Sequence, residues 1–459
     1  MLYKLKTFIK KYPFLYKIFV SLYLKLHPKI HLSLPHHYKL LLKYAFFLER
    51  DINPLKHRNN NNNKIVMLAI SEIFRDPRIE REARTLRDAG FEIKIIYIDY
   101  FSAYHNIQEI NWGTGITFRP IPFDGNVFWE IFPYLFSDLM INAACEEEVF
   151  AIHAHDLSTA LMGAIAAEKI GAYFVCDFHE WFSENVGWNY KLKKYVKHPF
   201  LKKKLYQWAE KICLRKANRM ITVCDSIARD INLEIMPKPF SIIRNIPFFE
   251  EEKNTSSHPS LRDLFGIKKE NFPLVLLWQG GVGPTRLIEP IIEGVSLVPG
   301  VFFVIRGPGM EYYQTEYEKL IQKLGAEDRV KCLMPIPSSE VVAGAKGADL
   351  GVWSLPNLCK NFTYSLPNKI FEYMVAGVPI LAADYPEVRK IVSSYDIGML
   401  FDPYSPKSIA QQLEKVKNNQ VLLKTYQKNL KTALEDNSPS KEWEKLTSLY
   451  NELRSENNA

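Results

Sequence analysis

The chain has 459 residues, of which 47% are hydrophobic and 24% are charged, the composition of an ordinary globular protein long enough for two domains. No apolar run reaches the roughly 18–20 residues that a membrane-spanning helix needs, because Lys17 and Lys43 interrupt the two best stretches. Six scattered cysteines without a CxxC pair exclude an obvious disulfide framework or zinc motif, and they indicate reduced thiols in a cytosolic protein.

The positive charge is concentrated at the N-terminus. The formal net charge is +8, yet residues 1–58 carry ten Lys and two Arg against only Glu49 and Asp51. A nucleic-acid-binding protein normally carries its basic face on a folded domain, so we expect no nucleic-acid partner. Lysines mixed with Leu, Phe, Tyr and Ile instead favour a basic amphipathic helical extension lying on an anionic membrane surface, at its cytoplasmic inner face. The alternative is an extension that packs on the following domain.

A run of five Asn at residues 59–63 is predicted to be a linker. The next 37 residues have the pattern of a β-α-β unit: strand KIVMLAI, a helix that begins after Asp76 and ends at Gly90, and strand FEIKIIYI. This order predicts a parallel sheet with a right-handed crossover. The loop after the first strand has the sequence SEIFRDPR and lacks GxGxxG, which disfavours a dinucleotide-dependent dehydrogenase, and no P-loop motif is present.

The strand–helix pattern recurs through AYFVCDFHE and RMITVCDS, which predicts a first Rossmann-like domain at residues 64–248. His153, His155 and Asp156 could form a metal cluster. Because no further ligands are evident, a structural or acceptor-side role is favoured. The segment Lys191–Lys204 has seven Lys and no acid, which indicates a solvated helix face or a second membrane-facing patch.

A polar stretch at residues 249–260 is predicted to be an interdomain linker. A second β-α series follows at residues 261–425, with strands such as PLVLLWQGG, VFFVIRGPG and VPILAAD. Residues 426–459 are predicted to form a C-terminal helical segment that packs back toward the first domain. The predicted fold class is therefore α/β, with two facing Rossmann-like domains and a central cleft.

Ligands of open parallel sheets bind beyond the carboxyl ends of the strands. Glycines there let a phosphate approach backbone amides, and an adjacent Arg supplies charge-assisted hydrogen bonds. In the second domain the candidates are Gly280, Gly281, Arg286, Arg306, Gly307 and Gly309.

The segment SLPNKIFEYMVAGVPILAADYPE resembles glycosyltransferase family 4, whose members are retaining enzymes of the GT-B fold, and the resemblance extends over residues 64–425. It implies that Glu372 binds the ribose hydroxyls of a nucleotide and that Arg286 contacts its diphosphate. A carboxylate can accept from two vicinal hydroxyls, and the helix start at Ser365 offers unpaired N–H groups. The motifs FHEWF and DPRIEREARTLRDAG imply that His179 contacts the transferring sugar and that Arg78 takes part in substrate binding.

Two positions depart from the family pattern. Tyr364 stands where a Glu is common, which affects the expected recognition of the donor sugar. Gly281 stands where the first basic residue of the diphosphate pair is expected. The chain fits a branch with the motif SxPxKxFEYM, in which Lys369 could supply the missing positive charge.

The resemblance thus implies a retaining glycosyltransferase that uses a nucleotide-sugar and needs neither a metal nor another cofactor. The acceptor is expected to be a glycan, lipid-linked or part of a polysaccharide. Two alternatives are a sugar-nucleotide epimerase of the same fold and a non-catalytic scaffold of a polysaccharide assembly complex. The basic extension argues against the first, and the presence of Arg286 and Glu372 argues against the second.

Overall fold

The computed structural model describes residues 47–50, 53–55, 62–71, 73, 76–98, 112–121, 138–146, 148–189, 192, 194–247, 259–337 and 340–458. Most of the predicted extension (1–58) and most of both predicted linkers (59–63 and 249–260) lie outside the described residues.

The N-terminal half contains β1 (Lys64–Ile70), α1 (Pro77–Asp88), β2 (Glu92–Ile98), β3 (Ile116–Ile121), α2 (Asp138–Cys145), β4 (Ala151–His155), α3 (Asp156–Ile170), β5 (Tyr173–Phe178), β6 (Val186–Asn189), β7 (Lys194–Lys197), α4 (Phe200–Lys216), β8 (Arg219–Thr222), α5 (Asp225–Glu234) and β9 (Ser241–Ile242). The C-terminal half contains α6 (Leu261–Leu264), β10 (Leu274–Gln279), α7 (Glu289–Ser296), β11 (Val301–Arg306), α8 (Met310–Lys323), β12 (Val330–Leu333), α9 (Val341–Gly344), β13 (Leu350–Trp353), α10 (Lys360–Thr363), α11 (Asn368–Val375), β14 (Ile380–Ala383), α12 (Pro386–Tyr395), β15 (Gly398–Phe401), α13 (Pro406–Lys417), α14 (Gln420–Asp436) and α15 (Pro439–Asn458).

Each half is built on its own parallel sheet. The first has the strand order β3-β2-β1-β4-β5-β8-β9 and the second has the order β12-β11-β10-β13-β14-β15. Their strands pair in parallel throughout. In each sheet the order reverses beside the first strand, between β1 and β4 and between β10 and β13. The carboxyl ends at these two switch points are where ligands of such sheets bind.

Local sequence signals set the first crossover. Asp76 caps α1 because its carboxylate accepts from the backbone N–H of Arg78, and proline occupies the first helical turn. The chain leaves the helix through Gly90, whose φ of 89° lies in the left-handed region. Strands β4, β5, β10 and β11 are buried along their whole length, as expected for strands covered by helices on both faces.

The two C-terminal helices pack on different domains. Helix α14 buries Leu423 and Tyr426 in the core of the second domain, so the predicted boundary between residues 425 and 426 falls inside this helix. Helix α15 returns to the first domain, where Leu446 and Tyr450 join the core formed by Met67 and its neighbours on one face of the sheet. The last helix therefore connects the second domain back to the first.

Part of the predicted N-terminal extension also belongs to the first domain. Leu48 and Leu55 are 1% and 6% exposed and lie in its core. The backbone N–H of Leu55 donates to the carbonyl of Lys216, and the indole of Trp208 donates to Glu49. Near its end, the extension thus packs on the domain as the alternative interpretation expected. Among the described residues, no helix is both long and apolar enough to cross a membrane.

Direct contacts close one side of the cleft between the domains. The side chain of Asn361 accepts from the backbone N–H of Trp181 at 2.8 Å and donates to its carbonyl at 3.2 Å. The carboxylate of Glu387 in α12 accepts from the backbone N–H of Ser226 in α5 at 3.1 Å. These contacts fix the spacing at which residues of the two sheets face each other.

Candidate active site

The second domain presents two glycine turns that touch each other. Gly280 follows β10 with a φ of 130°, and Gly307 follows β11 with a φ of 153°. A Cβ on Gly307 would overlap the carbonyl oxygen of Gly280, so this approach of two backbones requires glycine. Gly309, with a φ of 96°, begins helix α8. The predicted glycines therefore form one surface at the carboxyl ends of adjacent strands.

Two cations lie against this surface. The guanidinium of Arg286 donates within the protein only to its neighbour Thr285, at 3.2 and 3.4 Å, among the hydrogen bonds of the described residues. The ammonium of Lys369 lies 4.0 Å from the centroid of the Trp278 ring, and a Cβ on Gly280 would come within 2.8 Å of it. No carboxylate of the described residues forms a salt bridge with either cation. Burial and the charge of Arg286 lower the pKa of Lys369 to about 7, and burial also lowers the pKa of Arg286.

Glu372 lies one helical turn after Lys369, on the same side of α11. Burial raises the pKa of its carboxyl group, and the charges of Lys369 and Arg81 oppose that shift. Arg81 of α1, in the first domain, donates to the side chain of Asn245, and from there its charge acts on Glu372. Burial lowers the pKa of Arg81 to about 10. Arg81 was not among the residues expected from the sequence, because a charged residue in the middle of an amphipathic helix gives no indication of a partner almost 300 residues away.

Several predicted site residues hold the framework together instead of lining this surface. Arg306 is 5% exposed and donates through Nε to Oε1 of Gln279 at 2.8 Å. Tyr364 donates to the carboxylate of Asp230 at 2.7 Å and so joins the two domains. Through these hydrogen bonds, the side chains of Arg306 and Tyr364 are directed at Gln279 and Asp230 and not at Arg286 or Lys369.

Arg78 and Ser365 also have defined places. Arg78 forms a bidentate ion pair with Asp76 at 3.0 and 2.9 Å. Burial opposes its charge, but this pair outweighs burial and raises the pKa of Arg78. Ser365 is half-buried in the turn before α11. Gly281 lies next to Arg286, since a Cβ on Gly281 would be 3.6 Å from Nε of Arg286.

His179 follows β5 in the first domain, and its side chain is 7% exposed. Its Nε2 lies 3.1 Å from Oδ2 of Asp177 and 3.5 Å from Oε1 of Glu82. Burial disfavours an imidazolium here, but the charge of Asp177 outweighs it and raises the pKa of His179 well above its usual value. The same charge pair holds the pKa of Asp177 far below its usual value, against the effect of burial.

Four atoms of this cluster could serve as metal ligands. Glu82, His155, Asp177 and His179 each offer one atom, and these atoms lie within 4.8 Å of one another. The set differs from the histidine–aspartate group suggested by the sequence, because the carboxylate of Asp156 accepts from backbone N–H groups instead. Separations of 3.1 and 3.5 Å are within the N···O range of an ion pair, and we interpret the cluster as an imidazolium between two carboxylates.

Comparisons with known proteins agree with this two-domain description. The family model described as Glycosyltransferase Family 4 matches residues 78–246, and the model described as Glycosyl transferases group 1 matches residues 283–433. A D-inositol 3-phosphate glycosyltransferase of Corynebacterium glutamicum is 31% identical over 97 residues, which are 21% of this chain. Those residues span only 22% of the length of that curated relative.

Two solved structures illustrate the likeness in fold. HepE of Anabaena, in complex with UDP-glucose, aligns with a TM-score of 0.63 at 17% identity and covers 85% of this chain and 99% of its own. WaaG, described as a glycosyltransferase involved in lipopolysaccharide biosynthesis, aligns with a TM-score of 0.57 at 15% identity, over 84% of this chain and 99% of its own. The fold expected from the sequence, with two facing Rossmann-like domains, is thereby confirmed.

Proposed function

Since the chain belongs to glycosyltransferase family 4 and has the GT-B fold, we propose that it is a retaining glycosyltransferase of cell-surface polysaccharide synthesis. It would move a sugar from a nucleotide-sugar donor to a glycan acceptor that is lipid-linked or part of a polysaccharide. The observation that carries this proposal is the pair of cations on the glycine surface, Arg286 and Lys369. The carboxylate of Glu372 lies one helical turn after Lys369.

The donor would bind mainly to the second domain. Arg286 and Lys369 would contact the diphosphate, together with backbone N–H groups of the glycine turns and of the first turn of α11. Glu372 would accept hydrogen bonds from the two ribose hydroxyls. Because HepE was solved with UDP-glucose, UDP-sugars are the first donors to test.

Transfer would be driven by stabilising the charge that develops on the leaving diphosphate. The two cations supply that stabilisation, and for this reason the proposed reaction needs no metal at the diphosphate. His179, from the first domain, would contact the sugar during transfer. Retention of configuration is consistent with attack from the face that the leaving group vacates, so we assign no protein side chain as general base.

We place the enzyme in the cytoplasm, peripherally on the inner face of a membrane. The basic extension of residues 1–58 supports this location, and WaaG acts in the synthesis of a lipid-bearing glycan. A second basic surface lies near the hairpin of β6 and β7, where Lys194, Lys197 and Lys204 are exposed and Phe200 is 70% exposed. An enzyme that extends a lipid-linked glycan must work where the lipid headgroup lies.

A thermal-shift panel of nucleotide sugars, followed by calorimetry, tests the proposal. A true donor binds only the folded protein and raises its melting temperature in proportion to RT ln(1 + [L]/Kd). We expect one nucleotide-sugar class to stand out, and its shift to disappear in Glu372→Ala. Absence of binding across UDP-, GDP- and dTDP-sugars, or isomerisation of the donor without an acceptor, would contradict the proposed function.

A further inference from the structure

Three imidazole rings and one phenol form a row inside the first domain. The rings of His153 and His155 stack at 4.6 Å with 17° between their planes, and those of His155 and His179 stack at 5.8 Å with 19°. At the far end, the hydroxyl of Tyr450 in α15 lies 3.0 Å from Nδ1 of His153. The row therefore runs from the returning C-terminal helix to the residue that we place beside the sugar.

Two carboxylates flank this row and are shared by its rings. Nε2 of His153 lies 3.5 Å from both Glu82 and Asp177, the two carboxylates that also face Nε2 of His179. If the phenol of Tyr450 donates to Nδ1 of His153, the ring hydrogen of His153 lies on Nε2 and is directed at the carboxylates. Nε2 of His179 likewise lies within salt-bridge distance of Asp177 and Glu82. Neither ring nitrogen of His179 forms a hydrogen bond of good geometry among the described residues, and only Nε2 has carboxylates within salt-bridge distance.

The backbone beside His179 is held by a strained residue. Asp156, the first residue of α3, has a φ of 60°, a value that residues other than glycine seldom adopt. Its carboxylate accepts from the backbone N–H of His179 at 2.9 Å and from that of Glu180 at 3.1 Å. Strain of this kind persists where the surrounding structure fixes the conformation, and it is common at functional sites.

We propose that Asp177 and Asp156 are positioning residues for His179. Asp177, assisted by Glu82, fixes the ring as an imidazolium through Nε2, and Asp156 fixes the backbone that carries it. The Nδ1–H of His179, which has no carboxylate of the described residues within salt-bridge distance, is then the group that donates to an oxygen of the transferring sugar. This assignment rests on the proposed function.

The charged surroundings of His179 come from several elements. The titratable and charged groups around it are Asp76, Arg78 and Glu82 from α1 and its cap, His155 and Asp156 at the junction of β4 and α3, and Asp177 and Glu180 on either side of His179. Burial and the charge of Asp177 raise the pKa of Glu82, so Glu82 is the carboxyl group of this pair that takes up a proton first. Asp177 remains the counter-ion of His179.

Measuring kcat and donor Kd separately distinguishes a residue that positions His179 from one that binds the donor. With the donor selected by thermal shift, release of nucleotide diphosphate is measured in the full-length protein. We expect Asp177→Asn to lower kcat by about 10- to 100-fold at unchanged donor Kd, and Asp177→Asn combined with His179→Ala to be no worse than His179→Ala. Asp156→Ala should behave similarly, whereas Asp156→Asn, which keeps an acceptor oxygen, should retain most activity.

Glu210→Gln is the matched control. Glu210 is a fully buried carboxylate of α4 that accepts from the backbone N–H of Ser183 at 2.8 Å and forms no ion pair with His179 among the described residues. It should leave kcat unchanged, and melting temperatures check that every variant is folded. Equal losses of kcat in Glu210→Gln and Asp177→Asn, or additive effects of Asp177→Asn and His179→Ala, would overturn the proposal.

A spectroscopic test needs no substrate. In protein labelled with 13C at histidine Cε1, with His179 assigned through His179→Gln, the signal of His179 should remain that of an imidazolium to a pH above the usual titration range of histidine. In Asp177→Asn it should lose its proton at a lower pH. Identical titrations in both proteins, or a stoichiometric metal that is found in the wild type and lost in Asp177→Asn, would overturn the proposal. If no donor binds, the proposed function fails, and this titration still decides whether Asp177 holds His179 charged.

Discussion

The pH dependence of donor binding should reveal the role of Lys369. Its pKa is lowered to about 7 by burial and by Arg286, whereas a bound diphosphate would stabilise the charged ammonium and raise that pKa. A group whose pKa rises on binding favours binding below its original pKa, and the advantage is lost above it. If the donor binds only when Lys369 is charged, the donor Kd should increase about 15-fold between pH 7 and 8.5, or about 1.6 kcal/mol, which is the upper limit of the effect.

Calorimetry with a nucleotide sugar measures this increase, because such a donor has no phosphate group that titrates in this range. Repeating the titration in buffers of different ionisation enthalpy should show net proton uptake at pH 7.5. Lys369→Met should bind more weakly at pH 7 and lose most of the pH dependence, while Lys346→Met, which removes an exposed lysine of the same domain, should match the wild type. A donor Kd that is constant from pH 7 to 8.5, or the same slope in Lys369→Met, would refute the reasoning.

Three further predictions concern the rest of the site and the extension. Glu372→Ala should weaken donor binding by roughly 2–4 kcal/mol through loss of two charge-assisted hydrogen bonds, without lowering the melting temperature; wild-type affinity by calorimetry would remove it from the ribose site. His179→Ala should lower kcat far more than donor affinity, and an unchanged kcat would exclude a contact with the sugar. Full-length protein should float with anionic liposomes at low salt and less at high salt, whereas a chain beginning at Phe47 should not. Equal flotation of the two would contradict membrane attachment by the extension.

The fold could be predicted from the sequence because its signals are local. Buried parallel strands appear as short continuous apolar runs, and a cap at Asp76 and a stop at Gly90 mark the first helix. The proximity of Lys369 and Glu372 could also be predicted from the sequence, since residues three apart share a helix face. The packing of Leu48 and Leu55 was only one of two alternatives, because the basic segment before them has the pattern of a surface helix.

The network around His179 was harder to predict from the sequence, because its contacts join distant parts of the chain. The hydroxyl of Tyr450 meets His153 across 297 residues, and Glu82 and Asp177, from different elements, both lie near Nε2 of His153. Glu82 and Arg81 are adjacent in one helix, yet one faces the buried histidines and the other faces Glu372. Helical spacing predicts which side a residue occupies, but the partner depends on how separate elements pack.

Gly281, which departs from the family pattern, and Lys369 of the SxPxKxFEYM motif can be explained together in physical terms. A Cβ on Gly281 would lie 3.6 Å from Nε of Arg286, whereas a Cβ on Gly280 would lie 2.8 Å from the ammonium of Lys369. A basic side chain at position 281 would therefore begin beside Arg286, and its charge would be repelled by Arg286 and Lys369 in a partly buried site. Glycine at position 281 removes this competing charge. In the proposed donor complex two cations would still face the diphosphate, and one of them would come from the helix that also carries Glu372, so that one element would orient both the phosphate and the ribose.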